Sequence, residues 1–155
     1  MIKKKIIIFI FLFFLNNCDY KPIYSNNNNV DFYIETIQFN DGDVSIINNL
    51  KRNLNKLLKK KEGKKLSIKS TIQYDKKVIG RDSSSNISEY NLVATGIFII
   101  QHKDEIKTVK IQESLVMNNF EDEFEENKYE ENIKRNIAKS MSTKLVMQLL
   151  KINDN

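Results

Sequence analysis

Leu66-Ser67-Ile68-Lys69-Ser70-Thr71-Ile72-Gln73-Tyr74 sets Leu66, Ile68, Ser70, Ile72 and Tyr74 in alternation with Ser67, Lys69, Thr71 and Gln73, and the first set is apolar but for Ser70. Successive side chains of an extended chain point to opposite faces, so this period of two describes a half-buried β-strand with one wet face. The strand can continue to Ile79, and Gly80-Arg-Asp-Ser-Ser-Ser-Asn86 reads as a polar hairpin loop. A third strand is predicted from Ser88 to Gln101, with Tyr90, Leu92, Ala94, Gly96 and Phe98 on one face. His102 to Glu105 forms a tight turn, and a fourth strand runs from Ile106 to Met117, where Val109 and Ile111 oppose Thr108, Lys110 and Gln112. These three strands make a meander.

Working back from the meander, Ile47, Leu50, Leu54, Leu57 and Leu58 recur at helical spacing, which predicts a helix over Val44–Lys60. Lysines 59–61 suit its negative C-terminal end, and Gly63 stops it. A strand is expected over Val30–Phe39. Its apolar residues fall on both faces, as in a covered or central strand. Asn40 to Asp43 reads as a turn with capping residues. Beyond the meander, residues 118–127 are acidic, and a long helix then reaches Leu150 with Ile133, Ile137, Met141, Leu145 and Leu149 on one stripe. The order is β-α-β-β-β-α. Two helices with one apolar face each, and strands with one wet face, pack most economically as an α+β two-layer sandwich, both helices on one face of a four-stranded sheet. The other face is left for water or a partner.

The N-terminus carries a different message. Lys3, Lys4 and Lys5 precede a ten-residue apolar run, Ile6 to Leu15, followed by Asn16, Asn17 and the only cysteine, Cys18. The run is half of the roughly 20 residues that span a hydrocarbon core, so an export signal is expected rather than a transmembrane anchor. A lipoprotein signal places Leu at −3 and Cys at +1, and Leu15 and Cys18 fit. Acylation of Cys18 would attach enough chains for stable anchoring. Residues 1–17 are therefore assigned as a lipoprotein signal peptide, 18–29 as a lipidated flexible tether containing Pro22 and four successive asparagines, and 30–152 as one α+β domain.

The net charge of +5 includes the three signal lysines, so the exported part is nearly balanced and nucleic acid is not an expected partner. No constellation for chemistry is evident. The single histidine, His102, sits in a predicted turn with no second His or Cys to share a metal. The acids at 121–126 are explained by the start of a helix, and Ser83, Ser84 and Ser85 have no base beside them. No catalytic residue, metal or cofactor is expected, and the chain is read as a non-enzyme. Two basic clusters stand out: Lys51 to Lys65 around the end of the first helix, and Lys76, Lys77 and Arg81 at the first hairpin. Each is read as a solvated surface or as a contact for lipid phosphates. Arginine suits the latter because its planar fork donates two parallel hydrogen bonds.

Cys18-Asp-Tyr-Lys-Pro-Ile-Tyr24, Leu50-Lys-Arg-Asn-Leu54, Arg81 followed by a polar loop and Glu89-Tyr-Asn-Leu92, and a C-terminal helix after an acidic, aromatic-bearing loop together resemble the LPS-assembly lipoprotein (LptE) family. The resemblance covers most of the exported chain. Asn17 stands where the family has Gly or Ala, and Asp19 follows Cys18, a pattern that in enteric bacteria favours inner-membrane retention. The resemblance implies a lipid-anchored protein on the periplasmic side of the outer membrane. It would plug the lumen of an LptD-type β-barrel, help that barrel fold, and bind lipopolysaccharide. It places Arg81 in the loop that meets lipid phosphates and offers Lys128, near the start of the last helix, as a further contact; Lys77 joins them as a candidate from the basic cluster beside Arg81. A free-standing periplasmic lipoprotein of structural or pilotin type is the alternative.

Overall fold

The computed structural model describes residues 31–153. The signal peptide, Cys18, the tether and Val30 lie outside the described residues. The order is β1 (Phe32–Gly42), α1 (Val44–Lys59), β2 (Lys64–Arg81), β3 (Ile87–His102), β4 (Glu105–Asn118) and α2 (Glu123–Asn153). The strands form one mixed sheet in the order β1-β2-β3-β4. β1 runs parallel to β2, and β2, β3 and β4 are antiparallel in turn. The α+β two-layer arrangement is as the sequence pattern predicts.

The alternation that opens β2 is realised residue by residue. Leu66, Ile68, Ser70 and Ile72 are buried, while Ser67, Lys69, Thr71 and Gln73 stand on the other face. Ile68 lies opposite Ile100, Ile72 opposite Gly96, and Gly96 opposite Ile111, so the centre of one face is apolar across three strands. The helices cover that face. α1 buries Ile46, Leu50 and Leu54, and α2 buries Ile133, Ile137, Met141, Leu145 and Leu149, the stripe expected from spacing. Each such side chain contributes roughly 1.5–3 kcal/mol on burial.

Three expectations are corrected in detail. β1 is an edge strand, not a central one. Its apolar residues change parity because of a bulge: Ile34 pairs with Leu66 and Thr36 with Ser67, so Glu35 is extra. Phe32 and Ile34 before the bulge and Ile37 and Phe39 after it therefore reach the same core. The predicted turn at 40–43 is instead the end of β1. Only Asp43 lies between strand and helix, its carboxylate accepting from Ile46 N at 2.9 Å as the N-cap. This abrupt change needs Gly42, at φ 137°, because a Cβ there would lie 2.0 Å from Ile72 O. Finally, α2 begins inside the acidic segment. Asp122 Oδ1 accepts from Phe124 N at 2.7 Å and from Glu125 N at 3.2 Å, and Glu123, Glu125 and Glu126 occupy the first turn.

Ser70 is the one defect in the covered face. Its hydroxyl is buried without a hydrogen-bond partner among the described residues. A buried unsatisfied hydroxyl costs about 1–3 kcal/mol, and a methyl of similar shape does not. Ser70→Ala is expected to raise stability by about 1 kcal/mol. The check is a higher urea midpoint at unchanged m-value; a lower midpoint would contradict it.

Candidate functional site: the β2–β3 hairpin and the ionic hub behind it

β2 and β3 extend past the helical layer into a hairpin. Its loop, Asp82–Asn86, is organised by one carboxylate. Asp82 Oδ1 accepts from Ser84 N and Asn86 N, both at 2.8 Å, and Oδ2 accepts from Asn86 Nδ2 at 3.2 Å. The backbone bond from Asn86 leads the interactions that hold the Asp82 carboxyl below its ordinary range. Ser85 takes a left-handed φ of 67° and turns the chain back.

Arg81 sits at the base of this loop, exposed. Its Nη1 donates to Ser85 O at 2.8 Å. Among the described residues Arg81 has no ion pair and no other hydrogen bond. A guanidinium carries five N–H donors in a fixed fork, so most of this one faces outward. Lys77 is also exposed, four residues before Arg81 on the same strand and on the bare sheet face opposite the helices, its side chain with no hydrogen bond or ion pair among the described residues. Lys128 is elsewhere, on the exposed side of α2, 3.6 Å from Glu125. An exposed pair of that kind adds little to stability. The structure thus brings Arg81 and Lys77 together on one hairpin and sets Lys128 on a different element.

Lys76 is not part of the exposed cluster. Even-numbered residues of β2 face the helices, and Lys76 follows that parity inward. Its Nζ lies 2.6 Å from Glu126 Oε1, 2.9 Å from Glu130 Oε2 and 4.3 Å from the centre of the Tyr90 ring. Glu130 also accepts from the Tyr74 hydroxyl at 2.9 Å. Lys134, one turn on, lies 3.1 Å from Asp43, 3.3 Å from Glu130, 3.4 Å from Glu131 and 4.6 Å from the Tyr74 ring centre. One hub therefore ties the N-cap of α1, the first turns of α2 and the stem of the hairpin. Burial acts first on each member and disfavours its charge. For Glu130 the hydrogen bonds from Lys76 and Tyr74 and the nearby lysine charges prevail, and its carboxyl is held below the ordinary value of 4.5. For Lys134 the bond to Asp43, and for Lys76 the bond to Glu126, prevail, and both ammonium groups are held above 10.5. The sequence signal for this hub was the even parity of Lys76 and the i, i+4 spacing of Glu126, Glu130 and Lys134.

The second feature is the face of the sheet without helices. Ile97, Ile99 and Ile106 are 38%, 42% and 68% exposed there, among Ser67, Lys69, Thr71 and Thr108. No group of three His, Cys, Asp or Glu side chains among the described residues is placed to hold a metal. His102 lies at the end of β3, where its Nδ1 donates to Lys65 O at 2.9 Å, a structural bond.

Solved structures share this arrangement at low sequence identity. The rare lipoprotein B from Shewanella oneidensis superposes with a TM-score of 0.58 at 8% identity, over 76% of this chain and 95% of its own. A minor lipoprotein from Acinetobacter baumannii gives 0.58 at 11% identity, over 79% and 92%. A lipoprotein B from Nitrosomonas europaea gives 0.56 at 12% identity, over 79% and 86%. No family model and no curated protein matches the chain. The chain has the fold of these bacterial lipoproteins.

Proposed function

We propose that this chain is an outer-membrane lipoprotein, anchored through Cys18, that seats in an LptD-type β-barrel as its plug and assists barrel assembly and lipopolysaccharide transport. The observation that carries this reading is the one-sided sandwich. Its helices shield a single sheet face, and the other face presents three exposed isoleucines among serine, threonine and lysine side chains. A face of this composition needs a covering surface. The lumen of a large barrel, polar and wide enough for a folded domain, supplies one. The fold shared with lipoproteins of rare lipoprotein B type and the signal-like N-terminus support the same location. In this reading Arg81 meets lipid phosphates at the hairpin tip, Lys77 adds positive charge beside it, and Lys128 contributes from α2.

The deciding experiment is affinity purification from detergent-solubilised envelopes. A large barrel protein should co-purify in equal amount, and depletion of the chain should stop that barrel from assembling. A free monomer with barrel assembly intact in a deletion strain would overturn the reading and leave a free-standing pilotin-type lipoprotein. For the ligand, Arg81→Glu is expected to weaken lipopolysaccharide binding about tenfold or more, since a charge-assisted hydrogen bond is worth about 1.5–3 kcal/mol. Circular dichroism should be unchanged. Equal affinity in the variant would return Arg81 to the solvated surface.

A further inference from the structure

The sheet has two edges, and only one of them is interrupted. β1, at one side, is broken by bulges at Glu35 and Asn40 and carries Glu35 and Asp41 along it. Bulges and charges of this kind keep an edge from pairing with a further strand. β4, at the other side, has no bulge, glycine or proline in its fourteen residues and keeps unbroken register with β3 from Glu105 to Asn118. Half of its peptide groups point away from β3, a row of donors and acceptors at strand spacing. Ile106, Leu115 and Val116, 68%, 41% and 57% exposed, lie along it.

This edge opens onto a groove. Between β4 and the flank of α2 lies a space of about 520 Å³, lined by Lys110 and Gln112 on the strand and by Lys144, Met147, Leu150 and Lys151 on the helix. A strand added beyond β4 would lie about 4.8 Å away. Every second side chain on it would enter this groove against Met147 and Leu150, and the others would continue the bare face beside Ile106 and Thr108. Methionine suits such a wall because it adapts to what it packs against. The groove lining holds three lysines and no carboxylate. Glu113, just past it, is taken by Lys144 at 2.7 Å and by the Ser140 hydroxyl at 2.9 Å. Lys107 and Lys110 have no ion pair among the described residues. The other acids nearby are Asp104 and Glu105 at the first turn of the strand, and Asp154, three positions after Lys151 and outside the described residues. The middle of the edge is therefore cationic through Lys107 and Lys110.

We infer that β4 is a docking edge that takes an extended peptide segment as a fifth strand, one with apolar side chains at alternate positions and a carboxylate opposite Lys110. Main-chain bonds along the open row supply affinity, while the groove and the lysines choose the segment. Charge complementarity selects an acidic segment over a second copy of this chain, whose own β4 carries Lys107 and Lys110. The source of the segment rests on the plug reading. In that reading the barrel protein provides it from outside its closed wall, since strands within a barrel have no free edge. The plug is then held by a shared sheet at one side as well as by contact across its bare face.

The test measures amide exchange by NMR in the full-length chain, expressed with its signal and held in detergent micelles. It is run alone and with peptide probes made of five Val-Glu or five Val-Lys repeats. At saturation the Val-Glu probe should slow exchange at alternate residues between Ile106 and Val116 by at least about tenfold, and leave β1 from Glu35 to Asp41 unchanged. The Val-Lys probe should protect neither edge. Lys110→Glu, at an exposed side chain, should keep its circular dichroism, weaken Val-Glu binding about fivefold and admit the Val-Lys probe. Equal protection by both probes overturns the acidic partner, and protection of β1, or none of β4, overturns the docking edge. Protection of β4 in the free chain that grows with protein concentration assigns the edge to a second copy and overturns the inference. The same measurement on chain co-purified with a barrel separates this inference from the plug reading. A barrel-bound chain whose β4 amides exchange as in the free chain keeps the plug and loses the docking edge. A chain that takes the Val-Glu probe on β4 but has no barrel partner keeps the edge and loses the plug.

Discussion

Phe98→Ala is expected to remove about 3–5 kcal/mol of stability, a large share of what a domain of this size holds. Phe98 is fully buried on β3, opposite Ser70 on β2 and Val109 on β4, so sheet lies on both sides of it. Its ring leans along its own strand over Gly96. A Cβ on Gly96 would lie 2.6 Å from the ring and 2.6 Å from the terminal methyl of Met141 on α2. Ring, glycine and methionine are one packing unit, with the ring filling the space that Gly96 leaves and Met141 closing it from above. Removing the ring opens a cavity whose floor is hydrogen-bonded sheet and cannot collapse; only Met141 can move in. The converse follows from the same geometry. Gly96→Ala already drives its Cβ into both the ring and the flexible methionine, whereas Gly96→Val adds two methyls to the same collision, and the second should cost more, at least about 1–3 kcal/mol. Urea unfolding of the three variants checks the order Phe98→Ala, Gly96→Val, Gly96→Ala. A loss below about 1 kcal/mol for Phe98→Ala would mean that this unit is not the centre of the core.

Legibility in the sequence followed period. Leu66–Tyr74 of β2 and Thr108–Gln112 of β4 alternate closely enough for their faces to be read, as does Tyr90–Phe98 of β3 although apolar residues run together from Ile97 to Ile100; the stripe on α2 was readable because Ile133 through Leu149 repeat every fourth position. β1 was readable as a strand but not as an edge, because the bulge at Glu35 flips parity midway and imitates a strand buried on both faces. The acids at 121–126 were readable as belonging to the start of α2, but its first residue was not, because an acidic turn resembles the loop before it; Asp122 caps the helix and the glutamates complement its dipole. Of the site residues, Arg81 and Lys77 were found at an exposed hairpin from composition and turn chemistry alone. Lys76 was grouped with them because charge was weighed before parity.

Glu130 is the residue on which the hub behind the hairpin depends, and Glu130→Ala is expected to cost about 2–3 kcal/mol. The figure is below the 3–5 kcal/mol for a fully buried pair, because Lys76 keeps Glu126 and Lys134 keeps Asp43. It exceeds that of a surface pair because Glu130 and Lys134 are each only 13% exposed, and Tyr74 loses its acceptor as well. The pH dependence separates this hub from simple packing. Glu130 titrates below 4.5 in the folded chain, so its contribution is complete above that value and is lost as pH falls through the depressed one. Lys76 and Lys134 titrate above 10.5 when folded, so theirs is complete below 10.5 and is lost as pH rises through the raised values. Tyr74, pushed upward first by burial and then by its bond to Glu130, keeps its donor proton throughout the neutral range. Stability should be flat between these limits and fall in acid, and Glu130→Gln should flatten the acid limb while Ser70→Ala only lifts the whole curve. Urea midpoints from pH 3 to pH 8 measure both, and an acid limb of equal slope in wild type and Glu130→Gln would assign the acid loss to other carboxylates. Because the hub joins the α1 cap, the start of α2 and the hairpin stem, its acid release should free the hairpin before the core opens. Amide exchange at residues 76–90 should then rise at a higher pH than exchange at Phe98.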